Sequence, residues 1–136
     1  MNVWDLKEGD QLAEQFELGP ISRTDVVRYQ GASGDFQPIH HDQGFAQAAG
    51  YDAPLVIGMY PAGAASVWAA EYFGPETVRE TSIRWSGMVW PGDVLLGVGR
   101  IEQTELDSRW LLISITNQKD ELVLTLRMRF VQNQPK

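Results

Sequence analysis

The sequence predicts an α+β fold in which one long central helix is wrapped by a curved antiparallel β-sheet. Residues 58–73 are nearly all apolar or small, which is typical of a helix buried on all sides. Residues 78–131 contain segments of alternating apolar and polar character, and this period of two indicates strands with one buried face. Because the connections between these segments are short, the strands are expected to be antiparallel neighbours that pack as a layer against the helix.

Length, composition and charge exclude several classes of protein. The chain has 136 residues, 43% hydrophobic content, no cysteine and a net charge of −7, so we expect a single domain over residues 1–136. Without cysteine there is no disulfide framework, thiol nucleophile or cysteine-ligated metal. The acidic balance disfavours nucleic-acid binding. The N-terminus resembles neither a signal peptide nor a membrane span, so we expect a cytoplasmic protein that does not bind membranes.

The first elements are short and are separated by turn residues. Their predicted bounds are a strand over residues 11–18, a helix from Ser22 or Thr24 to Gly31, and a second helix from Asp42 to Gly50. Gly19-Pro20 ends the strand because this dipeptide marks a turn. Ser22, Thr24 and Asp42 have side chains that accept hydrogen bonds from the free N–H groups of a first helical turn. Gly50 favours the left-handed backbone that ends many helices.

The remaining elements form most of the expected core. Their predicted bounds are a helix over residues 58–73 and strands over residues 78–85, 94–101, 110–116 and 122–131. Pro61 falls in the first turn of the helix, where its missing N–H costs nothing. The last strand has the clearest pattern, since apolar residues at every second position from Leu122 to Phe130 alternate with residues such as Thr125 and Arg127.

The segment between the two short helices carries a carboxylate and an imidazole on either side of a proline. Asp35 and His40 would point in directions roughly 140° apart on a continuous helix. Pro38 argues against such a helix because it removes a backbone donor and shifts Gln37 toward extended geometry. We therefore predict an ordered loop in which Asp35 and His40 converge and can hold one water between a base and a proton donor. His41 is expected to be an exposed neighbour, because it points away from His40 in an extended loop.

A recognisable motif extends to both sides of this loop. Its residues are Tyr29, Ser33-Gly34-Asp35, Pro38-Ile39-His40, Asp42, Ala46, Gly50, Pro54 and Gly58-Met59, followed by the turn Trp90-Pro91-Gly92-Asp93. The motif resembles the hydratase 2 motif of the MaoC-like (R)-specific enoyl-CoA hydratases, and the likeness extends over residues 26–101. The resemblance implies a single hot dog fold, a long helix wrapped by an antiparallel sheet, in which two such folds usually pair in a dimer.

The resemblance also implies a hydratase or dehydratase. Asp35 and His40 match the catalytic pair that activates the water added to a trans-2-enoyl thioester, which gives an (R)-3-hydroxyacyl thioester, or the reverse. Gly58 matches the residue whose backbone N–H binds the thioester carbonyl, at the positive end of a helix dipole. Ser66 matches a serine that supports the site. The implied substrate is an acyl-CoA or acyl-carrier thioester, and no cofactor or metal is required.

Each of these residues also has a purely structural interpretation. Outside such a motif, Asp35 and His40 would more often be a helix cap and a solvated side chain. Tyr29 and Ser33 are candidates for substrate binding, but they can equally pack against the core or cap a helix. The Ser66 hydroxyl can instead donate to the carbonyl four residues back in its own helix.

Two residues depart from the family motif. Ile57 stands where the motif usually has histidine, and Gln37 replaces a common asparagine. Gln37 keeps the amide on a longer side chain. Ile57 cannot form a side-chain hydrogen bond, so it makes the expected substrate pocket more apolar and affects the substrate range more than the reaction type. These departures leave an alternative function open, a non-catalytic or helper hot dog subunit that binds acyl-CoA within a heteromeric hydratase.

We also expect a dimer. Residues 94–98 are apolar on both faces of their strand, and the outer face and edges of the sheet would be exposed in a lone chain. A homodimer is the commoner arrangement, and a heterodimer with a related hot dog chain is the alternative.

Basic residues are expected near the substrate. Because coenzyme A carries phosphate charges, several of them should cluster at the mouth of the tunnel that holds the acyl group. The candidates are Arg79, Arg84, Arg100, Arg109, Lys119, Arg127 and Arg129.

Overall fold

The computed structural model describes residues 2–133, which form one antiparallel sheet and three α-helices joined by turns and short 3₁₀ segments. The helices are α1 (Arg23–Ser33), α2 (Gln43–Ala48) and α3 (Met59–Phe73), and the strands are β1 (Phe16–Leu18), β2 (Val78–Trp85), β3 (Leu95–Thr104), β4 (Ser108–Thr116) and β5 (Leu122–Val131). The strand order is β1-β3-β4-β5-β2, and neighbouring strands are antiparallel. No helix within the described residues is long and apolar enough to cross a membrane.

The sheet curves around α3. This helix contacts both edge strands, β1 and β2, as well as β5, the neighbour of β2, and a flat sheet would not bring both edges to one helix. Ala62, Ala65 and Ala69 are fully buried, and their small side chains allow helix and sheet to approach closely. At the C-terminal end of α3, Phe73 stacks on Phe130 of β5 with ring centroids 4.1 Å apart. The predicted α+β hot dog arrangement is confirmed.

The prediction that α3 is buried on all sides is wrong. Val67 exposes 61% of its surface and Met59 exposes 44%. The physical reason is that the sheet covers one side of the helix, while the opposite side is apolar in sequence but faces away from the sheet. A helix surface of this kind is available to a binding partner.

The first strand is shorter than predicted. Only Phe16–Leu18 pairs regularly with β3, whereas Gln11 forms an isolated bridge with Arg100. Between these contacts the chain bends at residues 13–14, and this bend interrupts the ladder. Strands β3 and β4 extend beyond their predicted bounds, to Thr104 and from Ser108, because the hairpin that joins them is tight.

The first helix has the predicted start and a later end. The Ser22 hydroxyl accepts from the Asp25 N–H at 3.0 Å, and the Asp25 carboxylate accepts from the Ser22 N–H at 2.8 Å, which forms a capping box. These hydrogen bonds with Ser22 lower the pKa of the Asp25 carboxyl. The helix continues past Gly31 to Ser33, because Gly34 is the residue that adopts the left-handed conformation, with φ of +76°.

The alternation predicted for β5 is confirmed from Leu124 onward, whereas at the start of the strand Leu122 is exposed and Val123 is buried; beyond that point it separates the core from a charged outer face. The inward side chains of Leu124, Leu126, Met128 and Phe130 are buried. On the outer face, the Arg127 guanidinium lies 4.1 Å from the centroid of the Trp110 ring. Arg127 pairs with Glu102 at 2.6 Å and Arg129 pairs with Glu80 at 3.0 Å. Neither arginine is therefore a free cation for a substrate phosphate.

Candidate active site

The candidate catalytic residues lie in an ordered loop between α1 and α2. Pro38–His40 form a single 3₁₀ turn, which begins with the proline. The Asp42 carboxylate accepts from the Phe45 N–H at 2.9 Å and caps α2, as the sequence predicted. Because a helix cap fixes the loop at each end, the backbone that carries Asp35 and His40 has a defined course. The predicted ordered loop is present, and the convergence of Asp35 and His40 stays a prediction.

The ring of His40 is oriented by the backbone of Leu55. Its Nδ1 lies 2.9 Å from the Leu55 carbonyl oxygen, and the Leu55 N–H donates to the Ile39 carbonyl at 3.1 Å. A carbonyl oxygen only accepts, so Nδ1 carries the proton and the neutral ring has its lone pair on Nε2. Nε2 forms no hydrogen bond with residues 2–133. This nitrogen of the half-buried ring is therefore free to accept a proton.

Asp35 is fixed by its own loop, and its second carboxylate oxygen, Oδ2, forms no hydrogen bond with residues 2–133. Oδ1 accepts from the Gln37 N–H at 3.2 Å, and the Asp35 N–H donates to Ser33 Oγ at 3.2 Å. Within the described range no hydrogen bond joins Asp35 to His40. The loop thus presents a carboxylate and an imidazole nitrogen as two separately anchored groups.

A buried glutamine supports this loop from α1. Gln30 is 2% exposed, and its side chain bonds to the backbone of Asp35 and Gln37 and to the ring of His41. His41 is exposed as predicted, but its ring is hydrogen-bonded to the Gln30 side chain. Our interpretation of the sequence missed Gln30. The sequence feature that could have identified Gln30 is its position four residues after Val26, because residues four apart lie on the same face of a helix.

Gly58 is the residue at the N-terminal end of α3, and the Trp85 indole lies against it. Trp85 Nε1 donates to the Gly58 carbonyl at 3.0 Å. The Gly58 N–H has no acceptor among residues 2–133, so it is free to donate at the positive end of the helix dipole. Only two residues separate Gly58 from Leu55, a span of at most about 11 Å between their Cα atoms. His40 and Gly58 therefore belong to one local site.

Replacing Gly58 by alanine is expected to disturb this contact. A Cβ at Gly58 would lie 2.7 Å from Trp85 Nε1, so the indole would have to move and its hydrogen bond would be lost. We expect kcat/KM to fall on the order of 10- to 100-fold, measured together with tryptophan fluorescence. Gly63→Ala in the same helix is the matched control, because a Cβ there meets no atom within 4 Å. Equal activity of the two variants would show that the close approach at Gly58 is unimportant.

Three other candidate substrate-binding residues are hydrogen-bonded within the protein or buried. Ser66 Oγ donates to the Ala62 carbonyl at 2.9 Å, which is the structural alternative expected for this hydroxyl. Ser33 accepts from the Asp35 N–H, so it supports the loop. Ile57 is buried at 5% exposure, directly before Gly58. A substrate contact by any of these residues stays a prediction.

Tyr29 lines an open depression beside the loop. Its ring packs against the ring of Tyr60 with centroids 5.5 Å apart. The depression has a volume of about 370 Å³, and Asp25 and Arg28 also contribute to its walls. Burial, and to a smaller extent the charge of Asp25, raises the pKa of the Tyr60 hydroxyl. Tyr60 is therefore a neutral hydrogen-bonding group at physiological pH.

The surroundings of the loop combine a small cavity with exposed apolar side chains. A cavity of about 40 Å³ lies beside His40 and His41, which is enough for a water molecule. Four large apolar side chains are 44–63% exposed, namely Phe36 on the loop, Met59 at the start of α3, Trp85 at the end of β2 and Met88 three residues beyond that strand. Among residues 2–133 there is no group of three or more His, Asp or Glu side chains placed to hold a metal ion.

A comparison with protein families identifies the family to which the chain belongs. The family model described as MaoC like domain matches residues 10–110, a range that includes the loop, α3 and Trp85. The chain belongs to the MaoC-like domain family. The family predicted from the motif around Asp35 and His40 is thereby confirmed.

Individual relatives of this MaoC-like chain include proteins named as hydratases. It is 31% identical over 80 residues to the peroxisomal hydratase-dehydrogenase-epimerase of Saccharomyces cerevisiae, covering 59% of this chain and 9% of that protein. It is 25% identical over 127 residues to the probable enoyl-CoA hydratase 2 of Dictyostelium discoideum, covering 90% of this chain and 42% of that protein. The chain thus spans less than half the length of these relatives.

A solved structure shows the same fold. The (R)-hydratase from A. caviae involved in PHA biosynthesis has a TM-score of 0.81 against this MaoC-like chain, with 20% identity. The superposition covers 95% of this chain and 98% of that chain. The α3 helix and the five-stranded sheet therefore have the hot dog arrangement of a known hydratase structure.

Proposed function

We propose that this MaoC-like chain is a hydratase or dehydratase that adds water to a trans-2-enoyl thioester to give an (R)-3-hydroxyacyl thioester, or catalyses the reverse reaction. The observation that carries the proposal is the anchoring of His40 Nδ1 on the Leu55 carbonyl, which gives Nε2 the lone pair in the loop that also presents Asp35. Membership of the family and the hydratase names of two relatives support the reaction type.

In this mechanism Asp35 and His40 share one water. The water gives up a proton to the pair while its oxygen bonds to C3, and the electrons of the C2=C3 double bond move toward the thioester carbonyl. The Gly58 N–H, at the positive end of α3, donates to the carbonyl oxygen as negative charge develops there. The pair then delivers a proton to C2. One water therefore supplies both added groups, and the two side chains perform general acid and base catalysis.

The direct test is a hydration assay with the purified chain alone. Enoyl-CoA thioesters of several acyl lengths would be supplied, and the absorbance of the conjugated thioester followed. We expect a loss of absorbance to an equilibrium value and an (R)-configured product by chiral analysis. Parallel assays with acyl-carrier thioesters would identify the preferred carrier. A folded chain that converts none of these substrates would contradict catalysis by this chain alone and favour the helper-subunit alternative suggested by Ile57.

We further propose that two copies of the chain pair so that the site becomes enclosed. Asp35 is exposed and His40 is only half-buried, whereas a thioester enolate is stabilised best where water is excluded. The exposed apolar side chains around the loop, together with Val67 on the open side of α3, are the kind of surface that a partner covers. In the part of the chain that the structure describes, β1 and β2 also leave one edge each unpaired.

The expected result is a dimer in solution. Sedimentation equilibrium or light scattering at micromolar concentration should give twice the chain mass of 15.3 kDa. The activity per chain should fall on dilution through the dissociation range, because the isolated chain leaves the loop open. A stable monomer with full activity at every concentration would contradict this proposal.

A further inference from the structure

The side chain of Gln30 contacts the loop that carries Asp35 and His40 at three residues, namely Asp35, Gln37 and His41. Gln30 Nε2 donates to the Asp35 carbonyl at 3.0 Å and to the Gln37 carbonyl at 3.3 Å. Its Oε1 accepts from His41 Nδ1 at 3.0 Å. One amide therefore contacts the backbone of the residue that carries the carboxylate and the side chain of the residue that follows His40.

The chemistry of these partners fixes the orientation of the amide. The carbonyl oxygens of Asp35 and Gln37 only accept, so the NH₂ group must face them. Oε1 then faces His41, whose Nδ1 must be the donor. Both N–H groups of Gln30 are used, and the whole side chain is buried at 2% exposure. A buried amide with all its donors paired has little freedom to move.

We propose that Gln30 is a positioning residue that sets the separation of Asp35 and His40 across the Pro38 turn. It touches no substrate and acts only through the loop backbone and His41. The geometry of a water-activating pair is demanding, since a misplacement of about 1 Å can cost on the order of 100-fold in rate. The proposal rests on the proposed hydratase function, but it also has a consequence for loop motion that is measurable without substrate.

The test replaces Gln30 by methionine, which has a similar length and no amide. We expect kcat to fall at least about 10-fold while KM stays within about threefold of wild type, because the acid–base geometry is lost more than substrate binding. Gln30→Asn is the second variant. Its amide is about 1.5 Å too short to reach the three partners, and it keeps the test decisive if the methionine variant does not fold.

The matched control is another buried amide, one that forms no hydrogen bond with residues 35–42. Asn117 is 7% exposed and stabilises the β4–β5 turn by accepting from the N–H groups of Lys119 and Glu121. Asn117→Leu is expected to lower the melting temperature but to leave kcat within about threefold of wild type. A comparable loss of kcat in Asn117→Leu would show that general destabilisation explains the Gln30 variants, and would overturn the proposal.

Amide hydrogen exchange on the substrate-free protein separates this proposal from the proposed function. Gln30→Met should speed exchange at residues 35–42, and at Leu55, whose N–H donates to the Ile39 carbonyl. Exchange in β4 and β5 should be unchanged. If the wild-type chain proves inactive, the hydratase proposal fails and the exchange result alone decides the role of Gln30. Unchanged exchange in the loop, or a kcat of folded Gln30→Met within about threefold of an active wild type, would overturn the positioning role.

Discussion

Asp35→Asn and His40→Ala are each expected to lower kcat by at least about 100-fold, the usual scale for the loss of a general acid or base. The asparagine keeps an oxygen for the Gln37 N–H but cannot take a proton. The alanine removes the Nε2 lone pair. Because Asp35 is exposed and His40 is half-buried, both variants should stay folded. Turnover would be measured together with circular dichroism.

The control for the charge change is Asp120→Asn. Asp120 lies in the β4–β5 turn with φ of +59°, a left-handed conformation that asparagine also tolerates. This variant removes one carboxylate without touching the loop and should keep wild-type turnover. A folded Asp35→Asn or His40→Ala variant with near wild-type activity would contradict the assignment of that residue.

Phe130→Ala is expected to lower the free energy of unfolding by about 3–5 kcal/mol. Phe130 is fully buried in β5, and its ring stacks on Phe73 at 4.1 Å with an interplanar angle of 12°. Trp4 packs edge-on against Phe73 at 5.5 Å, so the cavity would open between α3 and the sheet. Native stability is commonly about 5–15 kcal/mol, so the loss would be a large part of the total.

Chemical denaturation monitored by circular dichroism measures this loss. Leu106→Ala is the matched apolar control, because Leu106 is 99% exposed in the β3–β4 turn and such substitutions usually change stability by less than about 0.5 kcal/mol. If Phe130→Ala were no more destabilising than Leu106→Ala, the stacked contact would not hold α3 against the sheet.

Features of the fold that depend on local patterns could be predicted from the sequence. Period-two alternation identified β5, and the side chains of Ser22 and Asp42 identified the starts of α1 and α2. The burial of α3 was predicted wrongly, since composition shows that a helix is apolar but does not show how many sides a single sheet can cover. Val67 is the clearest example.

The candidate site likewise contains residues that could be predicted from the sequence and residues that could not. Asp35, His40 and Gly58 could be selected from a motif, because motif residues lie close together in sequence. The Leu55 carbonyl, the Gln30 amide and the Trp85 indole contact them from residues up to 27 positions away. Such contacts depend on packing between elements, and a local pattern does not specify them.

The most direct test of the central claim, that Asp35 and His40 act as one unit on a single water, is the turnover of the double variant Asp35→Asn/His40→Ala beside both single variants. Groups that act together give non-additive losses. We expect the double variant to be about as slow as the slower single variant, within roughly threefold. Losses that multiply, to about 10,000-fold for two independent 100-fold effects, would contradict a shared water and assign the two residues to separate steps.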